Sequence, residues 1–185
     1  MTNSLSRIAW TGRIWRDYRH IQRGAAAAEF ALILALLTVP MLSVIDFGIW
    51  LYQAMELDNA AQIAAQAAWA ACSQSAQLPA TVNCPTLAGA VTAGAQSTTL
   101  GANVAVTSTT ENYYCVSGAT GQLVVVGSFP GNKPSDCSAV GSAVDEPGDY
   151  IVVTASYTYT PLFAAITVAS ILTTPITETA WMRLS

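Results

Sequence analysis

The sequence is poor in charge and almost devoid of histidine. Charged side chains make up 10 % of its 185 residues, whereas about 25 % is typical of soluble domains. The only histidine, His20, precedes the long apolar run, so the rest of the chain offers no Ser/His/Asp or Cys/His arrangement. No C-x-x-C pair is present either, which disfavours a metal site. We therefore expect neither an enzyme nor a bound metal or cofactor, although the spacing of the scattered acids does not by itself exclude paired-carboxylate chemistry.

The longest stretch without charge predicts a membrane-spanning helix. No charged side chain occurs from Phe30 to Ile45, and the segment from Ala25 to Tyr52 exceeds the roughly 20 residues that a helix needs to cross a bilayer. Trp50 and Tyr52 at the far end fit an interfacial aromatic belt. Asp46, just before this belt, is therefore expected to reach toward water at the membrane surface.

The basic residues are concentrated before the span. Five of the seven Lys and Arg residues lie there, whereas eight acids follow Asp46. Because Lys and Arg near a span favour the cytoplasmic side, this asymmetry predicts a cytoplasmic N-terminus. The basic leader is interpreted as a segment that sets topology; an amphipathic helix lying on the inner leaflet is the alternative. Arginines without a recognisable binding module give no reason to expect nucleic acid as a partner.

The helical pattern continues beyond the span. Gln53–Ala71 consists largely of good helix formers and contains neither Gly nor Pro. We expect one helix from about Ala25 to about Ala71, loosened or kinked at Pro40. A stripe of small residues on its outer half would allow close approach of a sheet or another helix; it comprises Ala60, Ala61, Ala64, Ala65, Ala67 and Ala68.

After about residue 100 the apolar pattern changes to the period of two that is typical of strands. Alternation begins at Val104, and two segments flanking a Gly-containing turn, Tyr113–Val116 and Gln122–Val126, predict a hairpin. Tyr150–Tyr159 and Ile176–Leu184 predict two further strands. A long helix followed by several antiparallel strands is an α+β arrangement.

Three other segments connect these elements. Thr86–Thr99 predicts a second, weaker helix that stops at Gly101. Gly127–Gly148 is rich in Gly, Pro, Ser and Asp, which predicts a long irregular loop. Leu162–Leu172 is apolar but too short to cross a membrane as a helix, so a buried or interfacial position is expected.

All four cysteines follow the span, where an oxidising compartment would let them pair. Three connectivities are possible for four cysteines. We favour Cys72–Cys84 and Cys115–Cys137, because these pairs close loops of modest length between neighbouring elements.

The junction between leader and span resembles a known processing signal. A basic leader, Gly24, four alanines, Glu29, Phe30 and a long apolar helix are similar to type IV prepilins and pseudopilins. More narrowly, RGAAAAEFALILALLTVP and IDFGIWLYQAMELDNAAQIAAQAAWAA resemble TadE-like proteins of the tight-adherence (Flp) pilus system, with weaker similarity in YIVVTASYTYTPLF and TAWMRLS. The resemblance covers Arg23–Ala71 almost continuously and leaves the middle of the chain, including Gln96–Asp149, unmatched.

This resemblance implies a processing site. A prepilin peptidase would cut after Gly24, making Ala25 the mature N-terminus and Glu29 the fifth mature residue, followed by Phe30. The new ammonium group at Ala25 could then be compensated by a Glu29 carboxylate of the same or a neighbouring subunit. Alternatively, Glu29 snorkels to the inner headgroups and pairs with nothing. The chain departs from the family pattern in its longer leader and in lacking a long side chain at the mature N-terminus.

Taken with the resemblance, the pattern predicts an organisation in three parts. Residues 1–24 form the cytoplasmic leader, 25–52 the transmembrane part of the helix, and 53–185 a pilin-like periplasmic α+β domain with helix to about 71 and then mainly strands. The implied function is that of a minor pilin or pseudopilin in the bacterial inner membrane. Its implied partners are the lipid bilayer, prepilin peptidase, other pilins and inner-membrane assembly proteins. The alternative is an unprocessed single-pass protein whose periplasmic domain binds a ligand or partner.

Overall fold

The computed structural model describes residues 6–142, 144–164, 166, 171–172 and 174–185, and side chains from residue 26 onward. These residues divide into two compact units. The first contains the chain up to Phe47 together with Leu162–Ser170, and the second contains Gly48–Pro161 and Ile171–Ser185. Part of the apolar segment expected to be buried or interfacial, residues 165 and 167–170, lies outside the described residues.

One helix, α1, runs from Ser6 to Cys72 and continues through Pro40. Its end agrees with the expected limit at about Ala71, but its start does not: the helix begins well before Ala25. Between Ser6 and Arg23 the sequence is rich in Arg and Ile, has no Pro and has one glycine, Gly12, which by itself is too weak a breaker to stop the helix from extending backward. A single Gly24 costs only about 1 kcal/mol relative to Ala, too little to end a helix of this length.

The second unit contains two short helices and a sheet. Helix α2 spans Ala80–Asn83 and α3 spans Leu87–Ala95. The candidate helix at Thr86–Thr99 is therefore present in shortened form. The four strands are β1 (Ala105–Val116), β2 (Leu123–Ser128), β3 (Gly148–Tyr157) and β4 (Ile176–Arg183).

The sheet is antiparallel throughout, in the order β2-β1-β3-β4. The predicted hairpin is confirmed, since Val116 pairs with Leu123 across the turn between β1 and β2. The two segments expected near Val104 and at Tyr113–Val116 form one continuous strand, because the Thr-rich residues between them also pair with β3. The long N-terminal helix and the antiparallel sheet confirm the α+β prediction.

The core of the second unit lies where the outer half of α1 meets α3 and the sheet. Leu57 and five alanines of the predicted small-residue stripe are buried, together with Ile151 and Val153 of β3. The approach of α3 is close: a Cβ added to Gly94 would lie 2.9 Å from Ala67 Cβ and 3.1 Å from Ala64 Cα. The alanines of the stripe therefore allow close helix packing, in addition to favouring helix formation.

Candidate assembly site on the long helix

The residues of the expected processing junction lie on consecutive turns of α1. Gly24 and Ala25 fall within the helix, and Glu29 and Phe30 follow. Ala25 and Glu29 are four residues apart, which places them on the same helix face, about 6 Å apart along the axis. Glu29 is exposed, and Phe30 is 64 % exposed. Glu29 and Phe30 therefore lie on an uncovered part of the helix, and the pairing of a new ammonium group with Glu29 stays a prediction.

The helix that follows the junction exposes large apolar side chains on all sides. Between Ala26 and Cys72, α1 is long and apolar enough to cross a membrane, and little of its most apolar stretch is buried. Such a surface is unfavourable in water and compatible with lipid. It indicates single-pass membrane anchoring. The exposed residues are Phe30, Leu32, Ile33, Leu34, Leu36, Leu37, Val39, Met41, Val44, Ile45 and Phe47.

Polar groups within this apolar stretch bond to the helix itself. The Thr38 hydroxyl donates to the Leu34 carbonyl at 2.7 Å, and the Ser43 hydroxyl donates to the Val39 carbonyl at 2.8 Å. Hydroxyl groups in lipid need such partners because water is absent. The two polar residues on either side of Pro40 are thus compatible with a nonpolar environment.

Asp46 does not reach toward water, so that expectation was wrong. Its side chain is buried, and its carboxylate oxygens accept hydrogen bonds from the backbone N–H groups of Leu162 and Phe163, at 3.0 and 3.3 Å. Both partners belong to the same compact unit as the inner part of α1. A charge taken out of water needs hydrogen bonds, and two backbone donors supply them here.

The second unit is cross-linked by two disulfides, Cys72–Cys84 and Cys115–Cys137. This is the pairing that loop length favours. The first joins the end of α1 to the residue after α2, and the second ties β1 to the irregular segment after β2. All four cysteines are buried. Loops of this size are stabilised by about 3 kcal/mol each when closed by a disulfide.

A buried acid on β1, Glu111, holds the start of α2. One carboxylate oxygen accepts from Ala80 N–H, and the other accepts from the N–H and hydroxyl of Thr81, each at 2.7 Å. These donors are backbone groups that an α-helix leaves unpaired in its first turn, so the acid and the helix end satisfy each other. Glu111 therefore fixes the disulfide-closed segment against the sheet.

A second buried acid, Asp149 on β3, lies beside Glu111. Its neighbour in the sheet register is Tyr113, two residues along β1 from Glu111, so the two acids share one face. Burial, followed by the charge of Glu111 and a hydrogen bond with it, raises the pKa of Asp149 to about 7. Among the described residues no N–H or hydroxyl group donates to the buried Oδ1 of Asp149.

Sequence reasoning missed the roles of all three buried acids. Asp46 is 116 residues from its partner Leu162, and Glu111 is 31 residues from Ala80. No local pattern signals such pairs. The remaining acids are scattered: in the part of the chain that the structure describes, no group of three His, Cys, Asp or Glu side chains could hold a metal ion.

Within the described residues, these features define a class of protein: one helix suited to membrane anchoring, joined to a disulfide-linked domain with an antiparallel sheet. The family model described as TadE-like protein matches residues 24–66. The resemblance to TadE-like proteins is thus confirmed for a segment that contains the junction, the apolar stretch and most of the alanine stripe, and it indicates a role related to the tight-adherence pilus. Neither a curated protein nor a solved structure matches the chain.

Proposed function

We propose that this protein is a minor pilin or pseudopilin that acts in assembly of a tight-adherence (Flp) pilus after cleavage by prepilin peptidase behind Gly24. The observation that carries the proposal is the position of the junction. Gly24, Ala25, Glu29 and Phe30 lie on α1 where its stretch of exposed apolar side chains begins, within the segment that matches the TadE-like model. The role is structural, acting through contacts with other proteins of the pilus system.

The proposed topology places residues 1–24 in the cytoplasm, 25–52 across the inner membrane and 53–185 in the periplasm. The arginines before the span favour this orientation. The disulfides support it independently, because they persist in oxidising compartments such as the periplasm and are rare in the cytoplasm.

In the assembled state, Glu29 compensates the ammonium group that cleavage creates at Ala25. A carboxylate and an ammonium group in a poorly polar helix bundle are costly when alone and less so when paired. Since the two positions lie on one face of α1, the pair can form within a subunit or between neighbours.

Intact-mass measurement after co-expression with a prepilin peptidase tests the processing step. We expect the product to lack residues 1–24, and we expect Gly24→Ala to retain them. Gly48→Ala is the matched control, because it lies on the same helix and an added Cβ meets nothing within 4 Å. An uncut wild-type chain beside an active peptidase would contradict processing and favour the unprocessed receptor-like alternative.

Crosslinking in cells tests the role of Glu29. Glu29→Gln keeps the size of the side chain and removes its charge, so we expect normal membrane insertion with reduced crosslinks to other pilus proteins. Asp58→Asn, which neutralises another acid on α1, serves as the control. Unchanged crosslinks and unchanged piliation in Glu29→Gln would favour a carboxylate that only snorkels to the headgroups.

A further inference from the structure

An apolar turn lies beside the candidate membrane span. It comprises residues 162–164 and 166, and the Ile166 N–H donates to the Phe163 carbonyl at 2.9 Å to close it. Leu162 is 66 % exposed and Ile166 is 54 % exposed. The sequence has no charged side chain between Asp149 and Glu178, so the segments on either side of the turn along the chain are uncharged.

The turn is fixed to the helix by Asp46. The buried carboxylate accepts from the backbone N–H groups of Leu162 and Phe163, and all three residues belong to one compact unit. These bonds do two things. They hold the turn at the level of residue 46, and they satisfy backbone donors that would be costly to leave unpaired near lipid.

The position of Asp46 along α1 gives the depth of the turn. The hydrocarbon core of a bilayer is about 30 Å thick, which corresponds to roughly 20 residues at about 1.5 Å each. Counted from Arg23, the last basic residue before the span, the far boundary of the core falls within about a turn of Asp46. A turn held at this level meets the boundary between headgroups and acyl chains.

We infer that Leu162 and Ile166 insert into the bilayer surface at the Asp46 end of the span, giving the protein a second contact with lipid besides α1. Three features favour lipid as the occupant: the exposed apolar side chains, the uncharged sequence on either side of the turn, and the attachment of the turn to the candidate span. The inference rests on the membrane anchoring in the proposed function, but it requires neither cleavage nor pilus assembly.

Fluorescence quenching in vesicles tests this contact. The full chain carrying Ile166→Cys is labelled without reductant, so that the disulfide-bonded cysteines do not react, and is placed in phosphatidylethanolamine–phosphatidylglycerol vesicles. Lipids brominated near the headgroup report contact with the bilayer surface, and aqueous iodide reports contact with water. Leu36→Cys, in the middle of the span, and Val82→Cys, an exposed position on α2, are the controls.

We expect shallow brominated lipid to quench the Ile166 label at least severalfold more than the Val82 label, with protection from iodide. Quenching like that at Val82, while the Leu36 label is quenched by deeply brominated lipid, would overturn the lipid contact and leave anchoring intact. Quenching by neither lipid nor iodide would show that protein covers the turn, and would also overturn it. If lipid fails to quench the Leu36 label, the result contradicts both membrane anchoring by α1 and the lipid contact of the turn.

Asp46→Asn tests the attachment of the turn. Asn has one acceptor oxygen where Asp has two, so one backbone hydrogen bond is lost and the other is weakened. Lipid quenching of the Ile166 label should therefore fall severalfold while quenching of the Leu36 label is unchanged. Equal quenching at Ile166 with and without this substitution would contradict the role of Asp46 in holding the turn at the membrane.

Discussion

The two halves of α1 differ in which side chains they expose and which they bury. Among the described side chains of residues 26–47, most large apolar ones, such as Leu36, are 39–76 % exposed, and the buried one is that of an acid, Asp46. After residue 48, alanines such as Ala61 and Ala64 are completely buried against other parts of the same chain. One continuous helix therefore has two environments. The partner of its outer half is already present in the fold, whereas the exposed apolar surface of its inner half is suited to contact with lipid or another protein.

A charge placed in each half should distinguish these environments most strongly. Leu36→Arg puts a cation in the middle of the apolar stretch, which costs about 3 kcal/mol on insertion scales, so we expect loss of membrane retention after a carbonate wash. Gln66→Arg, at an exposed position on the outer half, should leave retention unchanged. Equal retention of the two variants would contradict the division of the helix.

The buried acids of the second unit should make its stability depend on pH. The pKa of Asp149 is about 7 in the folded protein and about 3.8 without its surroundings, so the folded state binds the proton more tightly. Its stabilising contribution is complete below about pH 3.8 and is lost as the pH rises through about 7.

Asp149→Asn removes this titration. Between about pH 5.5 and 7 we expect the wild-type chain to lose about 2 kcal/mol of stability relative to the variant. Urea unfolding of the full chain in detergent, followed by circular dichroism of the sheet, measures the difference. Parallel pH profiles for the two proteins would argue against a proton held on the Asp149–Glu111 pair.

Two glycines of α3 offer a finer test of packing on the outer half. Gly94→Ala would bring a Cβ within 2.9 Å of Ala67 and about as close to backbone atoms of α1, so we expect a loss of at least about 1 kcal/mol in unfolding free energy. Gly89→Ala meets nothing within 4 Å and should instead stabilise α3 by about 0.5–1 kcal/mol. Opposite signs in thermal unfolding are the expected result, and a neutral Gly94→Ala would mean that α3 packs less tightly on α1.

The local sequence pattern was sufficient to predict the helix and strands that depend only on neighbouring residues. The end of α1, the β1–β2 hairpin and the strands near Tyr150 and Ile176 follow from helix-forming residues and from alternation. The start of α1 was misplaced because a membrane boundary was taken as a helix boundary, although a helix can continue into a basic leader.

The burial of Asp46 and Glu111 could not be predicted, because their hydrogen-bond partners are distant in sequence. The position of Asp46 next to aromatic residues favours an interfacial carboxylate, but its burial depends on backbone donors at 162 and 163. The same holds for Glu111, whose partners come from α2. The junction at Gly24 was recognisable because its residues are contiguous, as in the segment that matches the TadE-like model.

Photocrosslinking at two positions of α1 tests most directly whether one helix has two environments. A benzophenone amino acid replaces Leu36 in one variant and Gln66 in another, and each full chain is irradiated in phosphatidylethanolamine–phosphatidylglycerol vesicles. Intact mass should show lipid adducts on the chain modified at position 36 and none on the chain modified at position 66. Lipid adducts at both positions, or their absence at position 36, would contradict the account.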